Sequence, residues 1–321
     1  MNRRFSIATV ICTSSDERKE LLHACLESVL AGTRLPEEIF VVVDQNPLLG
    51  AELAKSLPAS VTLLRTEQPG LSEARTVGLR AATSDLVAFV DDDATVERDW
   101  LASLVQPLET TDRVLGVGGA IVPRWESDGP WLPEELLWLV GCTYRGHRRD
   151  PGPIRNPIGA NMAFRRQELV GIGGFDPQFG KRENLYCDET ELSLRLERAH
   201  GPRRIRYAPT ARAYHFIPSG RLSLRALFVR CILEGLSKGR LHRLYGLSSL
   251  TSERGYARGL LGEAMPRLML SALRDRNVRA LKGAGAIVVA LVLTGGAFIV
   301  GRAGAGSKGD RAGLTPQPPN S

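Results

Sequence analysis

Residues 86–93 read LVAFVDDD: five apolar residues run without interruption into Asp91, Asp92 and Asp93. An apolar run of this length rich in β-branched and aromatic residues suits a strand buried on both faces. Three adjacent carboxylates repel one another, and a divalent cation relieves that repulsion through oxygen ligands. Taken alone, the triplet also suits a solvated acidic turn. The buried strand before it and the helix start after it (Glu97, Asp99, Trp100) favour the cation. The same strand signature recurs upstream at 5–12 (FSIATVIC), 38–43 (EIFVVV) and 61–65 (VTLLR). Helical spacing separates these runs at 16–31, 47–57 and 72–82. Strand–helix alternation with near-continuous apolar strands predicts a mostly parallel sheet covered by helices on both faces. Ligands of such sheets bind at the carboxyl ends of strands, where Asp44 and Asp91–Asp93 both fall.

The chain has 321 residues with 42 Lys+Arg and 35 Asp+Glu, a net charge of +7. That total hides an asymmetry. Residues 1–200 carry 22 basic and 30 acidic side chains, and residues 201–321 carry 20 and 5. A basic rear suits anionic lipid or phosphate, while the acidic front and the lack of a recognition motif argue against nucleic acid. The five cysteines show neither metal-knuckle nor CxxC spacing, so free thiols in a reducing compartment are expected. Residues 283–301 (GAGAIVVALVLTGGAFIVG) are 19 uncharged residues, long enough to cross a bilayer. The expected organisation is a catalytic domain over 1–218, a basic helical extension over 219–282, a transmembrane helix over 283–301 and a disordered tail over 302–321. The protein is then expected on the cytoplasmic face of the cell membrane. The cations on both sides of the apolar segment do not decide its orientation.

Further motifs carry the chemistry. Asp44 ends a strand, where a carboxylate can accept from a ribose hydroxyl or a base N–H. Gln68 to Arg75 (QPGLSEAR) places a glycine turn before a helix that presents Arg75, a phosphate partner by type. CDETELSLR, residues 187–195, opens a helix with Asp188, Glu189 and Glu191. These acids suit the helix dipole, and equally a general base beside an acceptor hydroxyl. Between 113 and 122 a further strand is expected, 124–157 is irregular, 188–199 is helical, and 221–281 is helical and basic.

Together these segments resemble the family 2 glycosyltransferases of the GT-A, nucleotide-sugar-binding fold. The resemblance runs from about Ser6 to His215 and rests on IATVICTSSDER, VVVDQN, PGLSEARTVGL, AFVDDDATVERDW, GANMAFRR, GIGGFD and DETELSLRL in that order. It implies that Thr13 to Arg18 and Asp44 hold the nucleoside, that Arg75 faces the diphosphate, and that Asp91, Asp92 and Asp93 form the donor site. Asp91 and Asp93 match the family's D-x-D motif for Mg²⁺ or Mn²⁺. His215, in ARAYHF, matches a further metal or phosphate contact. Asn161, in GANMAFRR, with Arg221, Arg225 and Arg230, is expected to meet the acceptor or its phosphate. The sequence departs from the family pattern at Thr76, where Asn is usual, and in the order Asp188-Glu189, which leaves open which of the two is the base.

The activity implied is inverting transfer of a sugar from a nucleotide-diphosphate sugar to a hydroxyl of a lipid-linked or polysaccharide acceptor. A nucleotidyltransferase would want a glycine-rich loop after the first strand, and CTSSDER has none. A non-catalytic sugar-nucleotide-binding scaffold would want a damaged metal or base motif, and both are intact. A dinucleotide oxidoreductase lacks its GxGxxG.

Overall fold

The apolar runs are strands within a residue or two of their expected ends. The computed structural model describes residues 4–127, 131–180, 186–246 and 251–304. It places β1 at Ile7–Thr13, β2 at Glu38–Val43, β3 at Val61–Arg65 and β4 at Leu86–Asp91. Helices α1 (Lys19–Leu30), α2 (Pro47–Ser56) and α3 (Leu71–Ala81) connect them. The Asn46 side chain caps α2 by accepting from Leu49 N–H, with Pro47 at the first helical position. All the pairings among these four strands are parallel, with Cys12 opposite Asp91 and Thr13 opposite Val43. This register brings Thr13, Asp44 and Asp91 to one edge.

Past β4 the chain departs from the simple alternation. β5 (Ala94–Val96), α4 (Trp100–Thr110), β6 (Gly116–Trp125), β7 (Gly152–Ile154), β8 (Asn161–Arg165), α5 (Arg166–Gly171), α6 (Asp188–His200) and β9 (Ile205–Ile217) follow. The described strands form one sheet in the order β3-β2-β1-β4-β8-β6-β9-β5, with β7 on β9. β8 runs antiparallel to both β4 and β6. The sequence reading assigns no strand to 205–217, where polar residues interrupt the apolar ones. Its buried positions, Ile205, Tyr207, Ala208, Ala211, Ala213, His215 and Ile217, alternate except beside the bulge at Ala208, as a strand packed on one face requires.

Alternation also sorts the core. Ile7 and Ile11 of β1 pack with Leu22 and Leu26 of α1 and Leu104 of α4, while Ala8 and Val10 pack on the opposite face with Leu79 of α3 and Leu192 of α6. Beyond β9 come α7 (Leu224–Tyr245), α8 (Thr251–Gly259), α9 (Met265–Arg274) and α10 (Val278–Ala303). They do not stand off as an extension after residue 218. Leu227, Leu268 and Ile287 share one buried cluster with Ile121, Leu136 and Ile217. The helix expected at 283–301 begins five residues earlier, capped by Asn277. Residues 305–321, most of the expected tail, lie outside the described residues.

Candidate active site

The carboxyl edge of the sheet gathers the acidic residues. Asp91 ends β4, and Asp93 precedes β5, which pairs with β9 so that Ala94 lies opposite His215. This pairing sets Asp93 Oδ1 2.9 Å from His215 Nε2. One ligand atom from each of Asp91, Asp93 and His215 lies within 4.8 Å of the others. Asp93 Oδ1 is buried, with the His215 ring nitrogen against it. A buried carboxylate oxygen facing an imidazole nitrogen and a second carboxylate is a donor set that fits a divalent cation.

Cations surround the triplet. Arg18 Nη1 lies 2.8 Å from Asp92 Oδ1 and 3.2 Å from Asp93 Oδ2, and Arg221 Nη2 lies 3.6 Å from Asp93 Oδ2. Burial works against ionisation of Asp93, but His215, Arg18 and Arg221 outweigh it and hold its carboxyl well below the ordinary range. Asp92 is pushed up to about 6, chiefly by burial, with Arg18 opposing and Asp93 adding to the shift.

Asp188 and Glu189 open α6 on the other side. Cys187, just before them, adopts a left-handed φ of 71°, a strained conformation for a residue with a Cβ. Arg75 joins the two halves: its Nη1 lies 2.5 Å from Asp188 Oδ2, and its Nη2 lies 3.2 Å from Asp91 Oδ1 and 3.1 Å from the Gly159 carbonyl. The family resemblance implies that Arg75 faces the diphosphate of the donor. It is buried with both terminal nitrogens engaged, so it couples carboxylates. Burial opposes the charge on Asp188, and Arg75 outweighs it, lowering that carboxyl from its usual value. Glu189 is driven well above the carboxylate range by burial and then by the neighbouring Asp188 charge.

Asp44 accepts from Gly70 N–H at 3.0 Å and from Thr66 Oγ1 at 3.0 Å, so it secures the turn before α3 and stays half-buried at the strand end. The Thr13 carbonyl accepts from Asp44 N–H. The expectation for Asn161 is corrected. It is fully buried, donates both amide hydrogens to the Ala120 and Ala211 carbonyls, and accepts from Trp100 Nε1. It stitches the bulge where the β6–β9 register shifts, and its burial keeps it from contact with an acceptor. Arg225 is exposed on α7.

A cavity of about 590 Å³ adjoins Glu189. Arg155, Arg230 and Lys238 line one part, balanced by Glu234 and Glu253, and Leu291, Gly295 and Phe298 of α10 line another. Of these cations, Arg230 and Lys238 belong to the basic segment expected from the sequence to suit an acceptor's phosphate. The others come from segments with no motif, and only the packing of α7, α8 and α10 brings them together.

Residues 9–170 match the family model described as glycosyl transferase family 2. The chain belongs to that family. It is 31% identical over 301 residues to a glucosyl-dolichyl phosphate glucuronosyltransferase of Haloferax volcanii, covering 92% of this chain and 96% of the relative. It is 28% identical to the succinoglycan biosynthesis protein ExoM of Rhizobium meliloti, over 75% of this chain and 76% of that one. Among solved structures it is similar to a mannosyltransferase of Pyrobaculum calidifontis in complex with GDP-Man and Mn²⁺, with TM-score 0.56, 17% identity, and 91% and 87% of the two chains covered. The fold is therefore GT-A, and the protein is a glycosyltransferase.

Proposed function

We propose that this enzyme transfers a sugar from a nucleotide-diphosphate sugar to a hydroxyl of a lipid-linked acceptor, in one displacement that inverts the anomeric centre. The observation that carries the reading is the chain Asp91–Arg75–Asp188, in which one buried guanidinium spans the acidic cluster and the carboxyl pair on α6. Asp91, Asp93 and His215 would hold Mg²⁺ or Mn²⁺. Such an ion, when bound, neutralises charge on a leaving diphosphate. Thr13, Arg18, Asp44 and Asp92 line the donor side in this reading.

Glu189 is the base. Asp188 is committed to Arg75, whereas Glu189 is half-buried beside the cavity, within reach of an acceptor hydroxyl. Its raised affinity for a proton suits it to take one from that hydroxyl near neutral pH. The cavity favours a lipid-linked acceptor because it is amphiphilic: Arg155, Arg230 and Lys238 suit a phosphate, and the α10 side chains suit a hydrocarbon chain. The relative from Haloferax volcanii, by its name, acts on a glucosyl-dolichyl phosphate. Membrane association follows through α10, which is long and apolar enough to cross a bilayer. Free cysteines throughout the described chain suit a reducing compartment, so we place the catalytic body on the cytoplasmic side.

The test is transfer from radiolabelled nucleotide sugars to a polyprenyl-phosphate sugar in detergent, comparing wild type with Glu189→Gln and Asp188→Asn. Glu189→Gln should lose about 10²- to 10⁴-fold in kcat while donor binding persists. Full turnover in Glu189→Gln would remove the base, and a product retaining the donor's anomeric configuration would remove the single displacement.

A further inference from the structure

α10 passes the length and composition test for a bilayer span, yet its packing does not free it to cross. It runs parallel to α7 in close contact. A Cβ added to Gly235 would meet Thr294 O and Phe298 N, and one added to Gly239 would meet Phe298 O and Arg302 N. Arg243 Nη1 donates to the Gly301 and Gly304 carbonyls at 3.1 and 2.7 Å, closing the end of α10. α7 is in turn fixed to the catalytic body. Arg230 stacks over Tyr186, Arg240 over Phe179, and Tyr245 Oη donates to Glu191. If α10 crossed the hydrocarbon as it is packed, Arg230, Glu234, Lys238 and Arg240 would be drawn to the same depth. Ionised side chains there are strongly unfavourable.

The outward face of α10 shows what does fit. Positions 281, 285, 288, 292, 296 and 299 recur at helical spacing on the side away from α7. None is charged, and Val292 and Ile299 are 66% and 68% exposed. α9 presents Leu270 and Leu273 to solvent, and α7 presents Phe228 and Ile232. Arg274, Arg276, Arg279 and Lys282, all exposed, stand together between α9 and the apolar stretch of α10. A long apolar face beside a cluster of cations is the pattern of a helix lying in the interface of an anionic membrane.

We infer that α10 docks lengthwise on an anionic lipid leaflet, with the exposed faces of α9 and α7, and does not cross it. This rests on the membrane association proposed above and is independent of the acceptor. It also sets the α10 wall of the cavity, with Leu291 and Phe298, at the lipid surface.

The test uses the full chain and vesicles of phosphatidylcholine, alone or mixed with phosphatidylglycerol. Flotation should be strong with the anionic vesicles and weak with the neutral ones. Each basic residue near an anionic surface adds roughly fivefold in affinity, so Arg276→Gln with Arg279→Gln should weaken binding by about ten- to thirtyfold. Val292→Asp with Ile299→Asp should abolish flotation at unchanged circular dichroism, since both sites are exposed. In cell membranes, alkaline carbonate should release the protein. An epitope added after Ser321 should be digested by protease from the same side as the catalytic body. Carbonate resistance with the epitope on the opposite side would show that α10 crosses, overturning the inference and leaving membrane association intact. Failure to float with any vesicle would overturn both, and neither result would touch transfer measured in detergent.

Discussion

Arg75→Met removes the guanidinium that joins the acidic cluster to α6 and replaces it with an apolar chain of similar length. The two legs of the bridge are not equal. The Asp91 side chain is 30% exposed, so losing that pair costs about 0–1 kcal/mol. The Asp188 side chain is 7% exposed and Arg75 only 3%, so the variant strands a buried carboxylate. Breaking a buried pair from one side costs about 3–5 kcal/mol, and this leg dominates. The cost also depends on pH. Arg75 holds the Asp188 carboxyl below its unfolded value, so the stability it adds is complete above about pH 4 and is lost as pH falls through the folded value. In the variant, burial without a partner raises that carboxyl, which then takes a proton and sheds part of the penalty in acid. Urea unfolding at pH 7 should therefore show a loss of about 3–5 kcal/mol that narrows near pH 4. Asp188→Leu on top of Arg75→Met should recover part of it. A loss below about 1 kcal/mol, or one indifferent to pH and to the second substitution, would refute the claim that the buried Asp188 pair carries the bridge.

Asn161→Ala should destabilise the fold by about 2–4 kcal/mol, because Trp100 Nε1 and two carbonyls lose their partner at a fully buried site. Thermal unfolding measures it, and an unchanged midpoint would argue that water replaces the amide. Asp93→Asn should remove Mn²⁺-dependent binding of the donor while leaving the folded circular dichroism spectrum intact. Calorimetry with undiminished metal affinity would take Asp93 out of the cation site. The acidic limb of kcat/KM should lie well above the ordinary carboxylate range, because Glu189 must lose a proton that burial and Asp188 hold. A limb near pH 4 would disprove the raised base.

The first four strands were legible because burial on both faces leaves a signature that no loop shares, and the acidic triplet was legible because it sits where such strands end. Asp93 and His215 lie more than a hundred residues apart. Only the family resemblance suggested the pair, since β9 carries no apolar run to announce the strand that joins them. Arg75 is legible as a charged group aimed inward, but its carboxylate partners are not. A helix presenting Arg looks the same whether it meets a phosphate or a buried carboxylate. Asn161 was misread for a related reason: an amide inside a motif looks like a ligand contact until the bulge beside it shows two carbonyls in need of donors. Lys238 is legible only as one of a run of cations, and nothing local marks Glu253 as a cavity residue, because their meeting depends on three helices packing at once.

β9 explains why donor and acceptor chemistry meet where they do. Its first half, through Ala208, Ala211 and Ala213, packs in the core of the parallel strands, and its last residue, Ile217, packs in the core built with α7 and α10. His215 sits on the strand between the two, opposite Ala94 and two residues before Ile217. One strand thus belongs to the sheet edge that holds the acidic triplet and to the helical layer that lines the cavity. The bulge pinned by Asn161 lies between Ala208 and Arg212 of β9, on the stretch of strand that leads to His215.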